Sequence, residues 1–219
     1  MHLQARPQRV PQSSLRPGTL RLELSNGRPG LLHVPEGEVV GLVVALHGAG
    51  GNAQHGLDLL RSDAEKLRLV VLAPASAGST WASVWQRGLD ADSAALNDAL
   101  HETFALHPFK PENVAVAGFS DGASYALTLG LANGDLFGRV VAFSPGFENA
   151  DRRQGKPQFF VTHGVSDQVL PIDRTSRRLV PRLRSAGYEV TYEEFQGGHV
   201  VPPRYSDQGA RWILETRAG

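Results

Sequence analysis

The chain contains no cysteine and a single methionine, and its 22 basic side chains are matched by 22 acidic ones. The missing cysteine excludes disulfides, thiolate metal sites and a cysteine nucleophile together. Zero net charge, with no basic cluster interleaved with aromatics, gives no support to a nucleic-acid or anionic-membrane partner and leaves small neutral molecules open. No stretch approaches the roughly 18 apolar residues of a membrane span, and residues 1–9 lack the apolar centre of a secretory signal. The expected location is therefore cytoplasmic, with no integral membrane segment.

Apolar residues make up 41% and charged residues 20% of the 219, close to ordinary globular usage, and the length suits one α/β domain with a sizeable core. Residues 1–17, with Pro7, Pro11 and Pro17, read as a flexible leader, and residues 18–219 as the domain. Residues 20–24 alternate apolar and polar, and Asn26-Gly27 offers a hairpin turn into residues 30–34, so the domain opens with an antiparallel pair. From Val39 the pattern changes. Continuous apolar runs at 39–46, 69–73, 113–118, 140–143 and 158–161 have the character of strands buried on both faces. Amphipathic segments at about 53–67, 90–106, 122–132, 172–186 and 204–216 fall between or after them, and residues 188–195 supply a last strand. This alternation predicts a mostly parallel central sheet with helices on both faces, whose ligands bind at the carboxyl ends of the strands.

The unusual residues gather at those ends. Gly118-Phe119-Ser120-Asp121-Gly122 joins an apolar strand to a helical run, which places a serine at the apex of a sharp turn. Three further clusters each follow an apolar run: Leu46-His47-Gly48-Ala49-Gly50-Gly51, His163-Gly164-Val165-Ser166-Asp167 and Gly197-Gly198-His199. A serine hydroxyl is a poor nucleophile at neutral pH and needs a base, and the base needs a carboxylate to fix its tautomer. Ser120, His199 and Asp167 fill these roles in the order Ser, Asp, His. With nucleophile, base and acid all supplied by protein groups, no cofactor and no metal is implied.

With these four motifs in this order, residues 38–216 resemble the α/β-hydrolase superfamily, and within it the compact carboxylesterase/phospholipase group that includes acyl-protein thioesterases and bacterial serine esterases. The resemblance implies an α/β-hydrolase fold and cleavage of carboxylic esters through an acyl-enzyme on Ser120. It further implies an oxyanion hole from the backbone N–H groups of Ala49 and Asp121, and homodimers occur in the group. Asp121 stands where relatives often carry Gln; its charge is expected to disfavour anionic acyl groups. No inserted segment is long enough for a separate lid, which favours short to medium acyl chains. Thioester or lysophospholipid hydrolysis is the alternative chemistry, and a catalytically inactive ligand-binding protein the alternative from another class.

Other residues at the strand ends have plainer readings. Trp81, Trp85, Phe147 and Val200 are candidates for a substrate pocket, with packing as the rival reading for the two indoles. His47 and His163 are read as structural, bonding loop backbone. Asp173 is the rival acid, but its place after Pro171 suits a helix start. Ser144 and Ser166 read as loop hydroxyls, Trp212 as core, and Asp90, Asp92 and Asp98 as helix start and solvated face.

Overall fold

Each apolar run of the sequence forms a strand of one eight-stranded sheet. The computed structural model describes residues 2–8, 15–82 and 91–215. The strands are β1 (Gly18–Glu23), β2 (Pro29–Val34), β3 (Gly41–Leu46), β4 (Leu69–Ala73), β5 (Val114–Phe119), β6 (Arg139–Phe143), β7 (Gln158–Gly164) and β8 (Val190–Phe195). Their spatial order is β1-β2-β4-β3-β5-β6-β7-β8. β1 and β2 pair antiparallel, β2 joins β4 antiparallel, and all pairings from β4 to β8 are parallel.

The helices are α1 (Ala53–Asp58), α2 (Arg61–Leu67), α3 (Ala91–Leu106), α4 (Asp121–Ala132), α5 (Ser176–Ser185) and α6 (Pro203–Ile213). The period of two in the central strands divides the core. Leu42, Val44, Leu46, Val116 and Val140 meet Leu96, Leu100 and Phe104 of α3, Leu127 and Leu131 of α4, and Leu179 and Leu183 of α5. Val43, Ala45, Val71, Ala117, Val141 and Phe143 face Leu57 of α1, Ala64 of α2 and Trp212 of α6 on the opposite side. Each such aliphatic side chain removed from water contributes about 1.5–3 kcal/mol. β3, β4 and β6 are buried along their whole length, which explains why they read as unbroken apolar runs.

Two helical segments differ from the sequence reading. The segment at 53–67 is two helices, because Leu60 adopts φ −131°, outside the helical range, while Leu57 and Leu60 both remain buried. The segment at 172–186 starts as a single tight turn over Ile172–Arg174 after Pro171, and α5 proper begins at Ser176.

The expected flexible leader is also different in its first part. Leu3 and Ala5 are wholly buried in the core cluster that includes α3 and α4. The Leu3 N–H donates to Asn133 Oδ1 at 2.8 Å, and the Gln4 and Ala5 N–H groups share Asn97 Oδ1. Arg6 pairs with Asp135. Residues 2–8 thus act as a strap across the helices. Leu3→Ala is expected to cost about 2–4 kcal/mol. At about 2–4 °C per kcal/mol for a chain of this size, its melting temperature should fall by roughly 4–16 °C.

Candidate active site

The turn between β5 and α4 is built on backbone contact. A Cβ on Gly118 would collide with the Gly122 carbonyl, and one on Gly122 with the carbonyls of Leu46 and His47, so strand, helix and the end of β3 approach with no side chain between them. Between those glycines Ser120 is held at φ 58° and ψ −120°, a conformation that L-residues adopt only under constraint. Its N–H donates to the Phe143 carbonyl and its own carbonyl accepts from the Ser124 N–H, which fixes the apex from both sides.

Loops after β7 and β8 bring two more groups to this apex. His199 Nε2 lies 2.8 Å from Ser120 Oγ, and His199 Nδ1 lies 2.6 Å from Asp167 Oδ2. The Asp167 side chain is fully shielded from solvent and that of His199 is 15% exposed. Asp167 Oδ1 accepts the Val169 and Leu170 N–H groups at 2.9 and 2.8 Å. Burial by itself raises the Asp167 carboxyl, but the Leu170 N–H and the His199 ring outweigh it and hold the group below its usual range. Phe119, inside the turn, lies against the His199 ring with centroids 4.7 Å apart, a contact that no sequence pattern announced. Asp173, the rival acid, is exposed and bound to Arg177.

The 47–51 loop lies directly beside Ser120, since a Cβ on Gly48 would sit 3.4 Å from that of Ser120. Ala49 is exposed and Asp121 half-buried, and Asp121 Oδ2 accepts the Thr80 hydroxyl at 2.7 Å. The loop is fixed from beneath. His47 Nδ1 donates to the Gly48 carbonyl while its Nε2 accepts the Ser76 N–H, which sets one neutral tautomer. The Gly50 N–H donates to the Ser79 carbonyl.

Trp81 departs from its pocket reading: only 1% exposed, it donates its indole N–H to the His47 carbonyl and stacks between His47 and Tyr125. Asp92 departs from its solvated reading. It is buried and accepts the Ala77 and Ala82 N–H groups and the Asn26 amide, anchoring the 75–82 segment. A carboxylate spaced like any helix-start residue gave no sign of this.

Phe147 is half-buried in a loop that Ser124 and Thr128 hold against α4 through the Gly146 and Asn149 N–H groups. Val200 is 51% exposed and Val169 66%, one on each of the loops that carry His199 and Asp167. Ser144 sits at φ 51° with its hydroxyl buried and, among the described residues, without a partner. Trp85 and Asp90 lie outside the described residues. Among the described residues no group of three or more His, Asp or Glu side chains is arranged to hold a metal ion, and no helix is long and apolar enough to cross a membrane.

Comparison with known proteins agrees with this architecture. The model of a putative esterase family matches residues 73–169, a span that includes the Ser120 turn and Asp167. No curated protein sequence matches the chain. Among solved structures, S-formylglutathione hydrolase (FrmB) of Staphylococcus aureus is similar over 90% of this chain and 98% of its own, at 14% identity and a TM-score of 0.67. TT1662 of Thermus thermophilus is similar over 92% of this chain and 100% of its own, at 23% identity and 0.66. The Bacillus cereus carboxylesterase covers 84% and is itself covered over 92%, at 19% identity and 0.63. The fold is the α/β-hydrolase fold. With the esterase match across the serine turn, it defines the chain as an ester hydrolase of that fold.

Two outcomes follow from this geometry. Glycine carries no penalty at the strained apex, so Ser120→Gly should raise stability by about 1 kcal/mol over Ser120→Ala in thermal melts. The second concerns acid. Burial, ahead of an opposing carbonyl contact, pulls both His47 and His163 below the ordinary value of 6.5. The unfolded chain then binds more protons than the folded one as pH drops below about 6.5, so stability is full above that value and declines beneath it. Melting temperatures between about pH 7.5 and 5 should show this decline. His47→Asn, which keeps the donor to Gly48 and cannot titrate, should show less of it.

Proposed function

We propose that the protein hydrolyses carboxylic esters of short to medium acyl chain by two-step acyl transfer through Ser120. The observation that carries this reading is the unbroken hydrogen-bonded series from Ser120 Oγ through His199 to Asp167, at 2.8 and 2.6 Å. Ser120 Oγ attacks the ester carbonyl carbon while His199 Nε2 takes its proton, and the Asp167 carboxylate stabilises the imidazolium that forms. The oxyanion of the tetrahedral intermediate is received by the N–H groups of Ala49 and Asp121, at about 3–4 kcal/mol for such a donor. His199 then protonates the departing alkoxide, leaving the acyl group on Ser120. Water, deprotonated by the same ring, releases the acid and restores the serine.

Support for an apolar substrate comes from Val169 and Val200, two large apolar side chains left exposed on the loops that hold the acid and the base. The Asp121 carboxylate beside the proposed oxyanion site supports neutral over anionic acyl groups. The bond from Thr80 occupies one of its oxygens.

Labelling with a fluorophosphonate, read by mass spectrometry, and turnover of p-nitrophenyl esters from acetate to palmitate test the reading. A single adduct on Ser120 and a maximum at short to medium chains are expected. Ser120→Ala should fold, lose the adduct and lose about 10⁴-fold or more in turnover. Val200→Asp should weaken KM for hexanoate more than for acetate, by up to about fourfold per methylene that meets the rim. An unlabelled, inactive wild type would favour ligand binding without catalysis, and equal or better turnover of matched thioesters would favour thioester cleavage.

A further inference from the structure

The histidine that opens the His163-Gly164-Val165-Ser166-Asp167 segment does more than bond loop backbone. Its Nε2 lies 3.2 Å from Asp167 Oδ2, the same oxygen that receives His199 Nδ1, and both side chains are completely shielded from solvent. Nε2 also lies 2.8 Å from the Leu170 carbonyl, which can only accept, so the ring proton resides on Nε2. Nδ1, 2.7 Å from Ser176 Oγ, then accepts the Ser176 hydroxyl proton. Burial keeps this ring neutral. The surroundings of the carboxylate are thereby named: two backbone N–H groups donate to Oδ1, the His199 N–H donates to Oδ2, and the His163 N–H, whose shorter bond runs to the Leu170 carbonyl, passes Oδ2 at 3.2 Å.

We infer that His163 is a positioning residue of the esterase site, which acts on His199 through the Asp167 oxygen that the two rings share. The inference rests on the role proposed above for Asp167. A carboxylate gripped at both oxygens cannot rotate away from His199 Nδ1, so the base stays aimed at Ser120. The His163 N–H beside Oδ2 also lowers the negative charge that His199 faces. Ser176, wholly buried at the first position of α5, donates to Nδ1 and holds the ring in the orientation in which Nε2 lies beside Asp167.

The other charged group facing His163 is Glu194, its register partner on β8, and Glu194 is itself paired with Arg177 of α5. That pair is present whether or not His163 donates, so the effect is attributable to the Asp167 contact.

The test compares His163→Phe, which keeps a ring and removes the donor, with His163→Gln, whose amide nitrogen can reproduce it, and with Ser176→Ala, which touches no member of the Ser120 series. Thermal melts establish folding. For His163→Phe, kcat on p-nitrophenyl acetate should fall about 10-fold or more with KM within about twofold, and the acidic limb of the kcat/KM profile should move to higher pH. His163→Gln should recover most of kcat and return the limb, and Ser176→Ala should show a smaller shift in the same direction. A folded His163→Phe with the wild-type profile would overturn the inference. So would equal impairment of the Phe and Gln variants with an unmoved limb. Should both His163 variants fail to fold, an unmoved limb in Ser176→Ala would overturn it. The His199 Nδ1 proton resonance, followed by NMR in the wild type and these variants, reads the shared contact without any turnover. Its displacement in Ser176→Ala is expected even if the esterase reading fails, and an unmoved resonance would sink the inference alone.

Discussion

The close approach of the β5–α4 turn to the end of β3 is the constraint on which the site depends. Backbone meets backbone there, with Gly118 and Gly122 as spacers, and the cost is a serine held in a conformation worth about 1–3 kcal/mol of strain. The strain persists because the surrounding packing over-determines it. Every residue of α4 after Asp121 is buried, and the strand before the turn lies in the middle of the sheet. The same approach sets the 47–51 loop beside Ser120, with Gly48 against the serine side chain.

A second layer keeps that loop from relaxing. Asp92, His47 and Trp81 each present a buried polar atom to a backbone group of the 47–51 and 75–82 segments, and each is satisfied by it. In a shielded region an unmet N–H or carbonyl costs about 1–3 kcal/mol, so these pairings act as locks as well as attractions. His47, just after β3, and His163, near the end of β7, lie at the same end of the parallel strands, and burial pulls both rings below their ordinary pKa. Both bond a loop carbonyl, and His163 in addition lies 3.2 Å from a carboxylate oxygen. That difference is the basis of the positioning role inferred for His163.

Asp167 shows how a buried charge is retained within the site. Its carboxylate is removed from water, yet three hydrogen-bond donors and the neighbouring His163 ring converge on it, and together they more than offset the loss of hydration. The group therefore stays ionised where an isolated buried carboxyl would be neutral, which is the condition for supporting a cationic ring beside it.

How much of this was legible in the chain follows from the range of each interaction. The strands, the order of the helices and the four loop motifs were legible, because burial on both faces writes itself as apolar runs and a sharp strand-to-helix turn demands glycine. Ser120, Asp167 and His199 were identifiable because their chemistry needs particular residue types at strand ends, and the structure brings those three within hydrogen-bond distance. Local sequence could not tell Trp81 at the pocket wall from Trp81 beneath the loop, or Asp92 in solvent from Asp92 as an anchor. In each case the partner lies ten to more than thirty positions away. The docking of residues 2–8 depends on Asn133 and Asn97, and a proline-bearing leader carries no trace of partners so distant. The sequence by itself determined the elements and the reactive residue types, since these follow from periodicity and local chemistry. Only the tertiary structure decided which polar atoms face each other, since a hydrogen bond between distant segments is set by how the sheet and helices pack.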